Sequence, residues 1–252
     1  MMDVGESYED IQKVFEEIPD NFNILEEQID IDEQFMYFER SKTLREKSEG
    51  VKVMPENCDE LYSPETSSDR KKELLVSLAL VPDVKAYRIL EDYIRKADKT
   101  VRNWAVLALH ESRMLLRSSL LEEKQVFIST GLGGKGKKLR YYVVFIAGTP
   151  EKMLEPAQQK LLKDELIFAL KQEKGEFESI DFSQGFASSL LLLPLRADLK
   201  EIFSGVIDEC NQFGNFLAED IILTNVKILS RSEIMDFINS GDDEELPAEG
   251  DK

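Results

Sequence analysis

The residue types that most often carry chemistry are scarce in this chain of 252 residues: one histidine, His110, and two cysteines, Cys58 and Cys210. A zinc site needs several imidazole or thiolate ligands, and a disulfide-stapled fold needs more cysteines than two. A nucleophile activated by imidazole would have to run through His110, yet no cysteine, second histidine or other nucleophile stands at a recognisable spacing from it. Cys210 falls within an apolar helical stripe and reads as a small buried hydrophobe, while Cys58 lies in a loop with nothing nearby to activate it. Asp30 and Asp32 do not open a calcium loop, because Phe35 stands where that loop requires glycine. The other carboxylates are spread along helical faces, and no pair is placed for general acid/base work. The expectation is a protein without catalytic residues, metal or cofactor, and so not an enzyme.

One loop carries a denser signal. Gly131 to Lys138 (GLGGKGKK) fits two phosphate-binding patterns by letter: Gly131, Gly133 and Gly136 satisfy G-x-G-x-x-G, and Gly131, Gly136 and Lys137 satisfy G-x-x-x-x-G-K. Both mechanisms require a helix to open directly after the loop, so that its N-terminal N–H groups face the phosphates. Leu139 to Ala147 (LRYYVVFIA) instead reads as a strand, and Lys138 stands where the second pattern needs Ser or Thr. What remains is a glycine-rich hairpin tip bearing Lys135, Lys137, Lys138 and Arg140. It is either a solvated tip or a contact for an anionic partner.

The elements that position these residues fall into two halves. From Asp69 the spacing predicts a helix through Leu74, Leu75, Leu78 and Ala79, stopped near Val81 by Pro82. A second helix follows from Asp83 to Ala97, and a third begins after Asp98, a suitable N-cap, with Trp104 among its apolar positions as a core residue. Further upstream, Tyr8 to Ile18 and Phe22 to Lys47 give helical patterns, and Gly50 to Asp69 reads as a linker. Asp98, Val101, Arg102, Ala105, Ala108 and Leu109 match the D-x-x-V-R-x-x-A-x-x-A-L pattern at the start of a second HEAT-repeat helix, so the pair of helices over 83–116 resembles a HEAT repeat. The resemblance implies a binding surface without chemistry.

After Glu123 the periodicity changes to that of strands. The predicted order is strand 125–130, strand 139–147, helix 151–174, strand 176–182, strand 185–193, helix 198–213 and strand 220–229. From the second strand onward this is β-α-β-β-α-β, the ferredoxin-like order, and the strand 125–130 is expected to enlarge the sheet to five. The same order occurs in RRM domains, which Val144 to Gly148 and Gln184 to Ala187 loosely resemble; Ser188 and Leu191 depart from that pattern where it wants aromatics.

The formal charge of −18 is unevenly placed: residues 1–68 carry −13 and 232–252 carry −7, while 69–124 carry +3 and 125–231 carry −1. Acidity therefore says little about what the folded body binds. The acidic start is unlike an export signal, no apolar run is long enough to span a bilayer, and two cysteines with no motif around them suit a reducing compartment, so a cytoplasmic location away from membranes is expected. The fold class expected is α+β: acidic N-terminal helices (1–49), a linker (50–68), an all-α HEAT-like helical module (69–124), a ferredoxin-like sandwich with an extra N-terminal strand (125–231), and a short helix with an acidic disordered tail (232–252). The function expected first is a non-enzymatic scaffold binding a protein partner through its HEAT-like surface. Nucleic-acid binding by the RRM-like sheet and basic hairpin comes second, and a small-molecule sensor or enzyme with a site between the halves third. A homodimer is also compatible with such a sheet.

Overall fold

The computed structural model describes residues 18, 19, 21–47, 55–121 and 126–241. The expected helix over 8–18 lies outside them save for Ile18, as does the acidic tail beyond residue 241. The chain combines helices with an antiparallel sheet, an α+β composition. It divides into two compact units, 18–131 and 132–241 among the described residues. No helix among them is long and apolar enough to cross a membrane.

In the first unit, the expected helix over 22–47 is two elements. Strand β1 (Phe22–Ile24) precedes helix α1 (Ile31–Lys47). The helix starts late because Asp30 caps it, its Oδ1 accepting from the N–H groups of Asp32 at 2.9 Å and Glu33 at 3.4 Å. The acidic residues that tempted a calcium reading are thus a helix start. Upstream of the cap, Phe22 and Ile24 bury their side chains from an extended backbone. Strand β1 pairs in parallel with β2 (Val126–Ile128), Phe22 opposite Val126. This corrects the expected fifth strand: the segment is extended as predicted, but it pairs with β1 and not with the large sheet.

Around this pair stand α2 (Ser68–Ala79), α3 (Val84–Tyr93) and α4 (Arg102–Leu121). Ser67 and Asp83 cap α2 and α3, accepting from Arg70 N–H and Lys85 N–H. Leu74, Leu75, Leu78, Leu90, Ala105 and Ala108 are buried together, and Trp104 packs edge-on against Tyr37 at 5.4 Å between centroids. The described part of the expected linker also joins this core, where a 3-10 turn (Cys58–Tyr62) buries Leu61.

Helices α1 and α4 are tied through a buried carboxylate. Glu111, 3% exposed at its side chain, accepts hydrogen bonds from the Tyr37 hydroxyl at 2.6 Å and the Ser41 hydroxyl at 2.7 Å, and pairs with Arg45. Burial, together with the adjacent carboxylate, pushes the Tyr37 phenol well above its ordinary range, so it stays a donor.

The second unit is built on β4 (Lys138–Ala147), flanked by β6 (Phe186–Pro194) and β7 (Leu217–Thr224). Strand β5 (Glu176–Ser183) lies outside β6, and the two-residue β3 (Gly134–Lys135) extends the other end of β4; all pairings are antiparallel. Helices α5 (Pro156–Gln172) and α6 (Leu199–Asn211) pack on each other and against β5 and β7. Phe145 meets Phe203 of α6 at 6.1 Å, which identifies the side of β4 bearing Leu139, Tyr141, Val143 and Phe145 as the helix-covered face.

The opposite face is also covered. Tyr142, Val144 and Phe186 form a second apolar cluster with Leu229 and with Ile234 of the last helix, α7 (Arg231–Gly241). Helix α7 begins with a Ser230 cap and a Glu233 carboxylate that accepts from Ser230 N–H at 2.8 Å.

The β5–β6 turn depends on one glycine. Gly185 has φ +88°, and a Cβ there would stand 2.6 Å from the Pro150 carbonyl oxygen. Its own N–H donates to Lys152 O at 3.0 Å, so the turn cannot simply move away. Gly185→Ala should cost roughly 2–3 kcal/mol, read as a lowered melting point by far-UV circular dichroism; an unchanged midpoint would show the turn to be relaxed.

Candidate nucleic-acid interface

The basic residues singled out in the sequence come together at the β3–β4 hairpin. Lys135 opposes Lys138 across a two-residue turn of Gly136 and Lys137, and Gly136 takes φ +60° as the first central residue of a primed hairpin turn requires. Two like charges directly opposed in a ladder repel. Glu176 on β5 relieves this: its two carboxylate oxygens accept from Lys135 Nζ and Lys138 Nζ, each at 2.7 Å. Both lysines pull the Glu176 carboxyl down to about 2. Its pairing is therefore in full force above pH 4.5 and is lost as pH falls toward 2.

Arg140 has a different role. Its Nε and Nη2 donate to the two oxygens of Glu178 at 2.6 and 2.9 Å, and Nη1 donates to Leu132 O at 2.8 Å. With a side chain only 15% exposed, it braces the sheet edge and contributes to the surroundings mainly through its charge. Lys135 and Lys137 are exposed, and Lys138 is half-buried. Residues 132–241 hold 13 basic and 16 acidic side chains, and four of the 13 cations fall within 135–140.

Neither phosphate-loop pattern is realised, since β4 and not a helix follows the turn. The aromatic platform expected of an RRM-like sheet is absent as well: Tyr142 and Phe186 are 7% and 4% exposed beneath α7. Bases cannot stack on side chains so covered, which corrects the expectation that the sheet face itself binds.

The other residues weighed from sequence are structural. His110 stacks against Phe127 at 5.7 Å and lies 3.4 Å from Glu27, whose carboxyl it lowers. Burial, with the nearby charges of Glu165 and Glu209, pushes the Cys210 thiol up to about 12. Burial raises Cys58 too, and its Sγ donates to Pro55 O. Neither thiol is poised to ionise. No group of three His, Cys, Asp or Glu able to hold a metal occurs among the described residues. Glu176, Glu178 and Glu111 were not found from sequence, because the strand pairings and helix packing that give them partners are long-range.

By element order this second unit belongs with small antiparallel sheets covered by paired helices. No protein family and no curated protein matches the chain. Among solved structures it is similar to a protein from Deinococcus radiodurans R1 assigned as a transposase, with 15% identity, 42% of this chain and 93% of that one covered, and a TM-score of 0.36. It is also similar to a REP-associated tyrosine transposase bound to a REP hairpin, with 10% identity, 44% and 71% coverage, and a TM-score of 0.32. Neither neighbour is a HEAT-repeat protein or a protein scaffold. On this finding the sequence-based expectations of a HEAT-repeat scaffold, of a non-enzyme and of a protein as the first partner are withdrawn. At such identities and scores, no transposase activity passes to this chain.

Proposed function

We propose that residues 132–241 form a ferredoxin-like sandwich that binds nucleic acid through its phosphates at the β3–β4 hairpin edge. The observation that carries this reading is the concentration of Lys135, Lys137, Lys138 and Arg140 at one edge of an otherwise acidic unit. Glu176 already occupies the place of an anion between two lysines, with both carboxylate oxygens bonded, which supports an anion-binding reading of this edge. Recognition of this kind positions the backbone and does not read bases, because the sheet face is closed by α7. The edge, and not the face, is the binding surface.

The test is a fluorescence-anisotropy titration of the full chain at low salt against single-stranded DNA, a DNA hairpin and single-stranded RNA. Binding should weaken with salt at a slope of about −0.7 per single-strand phosphate neutralised, giving roughly −2 for three lysines. Changing Lys135, Lys137 and Lys138 together to Glu should remove binding, and changing them to Ala should reduce both affinity and slope. No anisotropy change with any of the three probes at low salt would overturn the reading.

A further inference from the structure

The helical unit carries a hollow of about 430 Å³, open to solvent, that the basic hairpin does not involve. Phe38, Met114 and Phe127 give it apolar walls, and Lys42, Arg45 and Glu111 give it charge. The volume is that of a small-molecule site. Glu111, the most buried of the three, is already satisfied by Tyr37, Ser41 and Arg45 and makes no demand for a further cation. The cations are not so satisfied. The Arg45 side chain is 50% exposed and spends one guanidinium nitrogen on Glu111, which leaves the other N–H donors of its fork available. Lys42 is exposed and has no hydrogen bond or ion pair among the described residues. The cavity therefore holds two cations against one carboxylate, beside an apolar surface.

That surface is held in place from behind. Phe127 stacks on His110, which Glu27 in turn holds at 3.4 Å, so the aromatic wall is braced and not a loose side chain. Fixed apolar walls with a few polar groups at one end select a ligand that is itself amphipathic.

We infer that this cavity binds a small organic anion, with a carboxylate or monophosphate head against Lys42 and Arg45 and an aromatic or aliphatic body against Phe38, Met114 and Phe127. The head is recognised by charge-assisted hydrogen bonds, and the body by burial of apolar surface. Glu111 acts through Arg45 as a positioning residue, holding the guanidinium at the cavity.

The test is isothermal titration of the full chain with benzoate, hexanoate, indole-3-acetate and phenyl phosphate. Benzamide serves as a neutral control and inorganic phosphate as a control without a body. At least one of the four anions should bind saturably at one site, roughly tenfold or more tighter than both controls. The carboxylates and phenyl phosphate together decide which head the cations prefer. Lys42→Ala should weaken that binding roughly tenfold, the loss of one charge-assisted contact. Met114→Trp should fill the cavity and abolish binding, while circular dichroism confirms that the variant remains folded. Neither change should alter oligonucleotide binding at the hairpin, so the two readings fail separately. The inference is overturned if none of the four anions binds saturably, if benzamide binds as well as benzoate, or if both variants keep wild-type affinity.

Discussion

Glu176→Gln combined with Glu178→Gln should strengthen oligonucleotide binding by about tenfold at low salt. Each carboxylate now competes with phosphate for the same cations. Removing one negative charge from beside these cations is expected to raise affinity about threefold, so two act together to give about tenfold. The gain should shrink as salt screens the site. Because Lys135 and Lys138 hold the Glu176 carboxyl down to about 2, it remains charged at every ordinary pH, and acidifying the wild type from pH 8 to 5 should not reproduce its part of the effect. Glu178→Gln also releases half of the brace on Arg140, whose guanidinium keeps its bond to Leu132 O. Equal or weaker binding by the double variant would mean that the glutamates hold the lysines in their binding geometry and do not compete with the ligand. The measurement is the same anisotropy titration, repeated at several salt concentrations.

Glu111→Ala should destabilise the helical unit by about 2–4 kcal/mol. The substitution leaves the buried hydroxyls of Tyr37 and Ser41 without their acceptor and opens a void between α1 and α4. Arg45 is half-exposed and can return to water, which keeps the loss below that of a fully buried ion pair. Tyr37→Phe should cost less, about 1 kcal/mol, because Glu111 then keeps two of its three donors. Trp104 is the only tryptophan in the chain and packs against Tyr37, so its fluorescence during urea unfolding reports on this unit. A change below about 1 kcal/mol for Glu111→Ala would show that the buried network contributes little beyond its shape.

Much of the local structure was legible because its causes are local. Pro82 stops one helix of the first unit and the next opens at Asp83, through backbone restrictions and capping that act within a few residues. The β-branched and aromatic run in Leu139 to Ala147 and the apolar stripe through Ile202, Phe203, Val206 and Cys210 likewise identified a strand and a helix. The errors lie where a distant partner decides. Phe22 and Leu25 stand at a helical spacing, yet an available strand at Val126 to Ile128 makes Phe22 to Ile24 extended. The same choice removes that strand from the large sheet. Helix α7 was expected as a short element before a tail, but Leu229 and Ile234 match the uncovered face of β4 and close it.

The amino-acid sequence alone determined the α+β composition, the order of strands and helices in the second half, the basic hairpin tip and the concentration of negative charge at both ends. These follow from composition, periodicity and turn chemistry, which act over a few residues. Only the tertiary structure decided which strands pair, that both faces of the sheet are covered, that Glu176 and Glu178 hold the hairpin cations, and that Glu111 lies buried beside a cavity. Each of those depends on groups far apart in the chain meeting, and a buried charge or a strand edge has no local signature until its partner arrives.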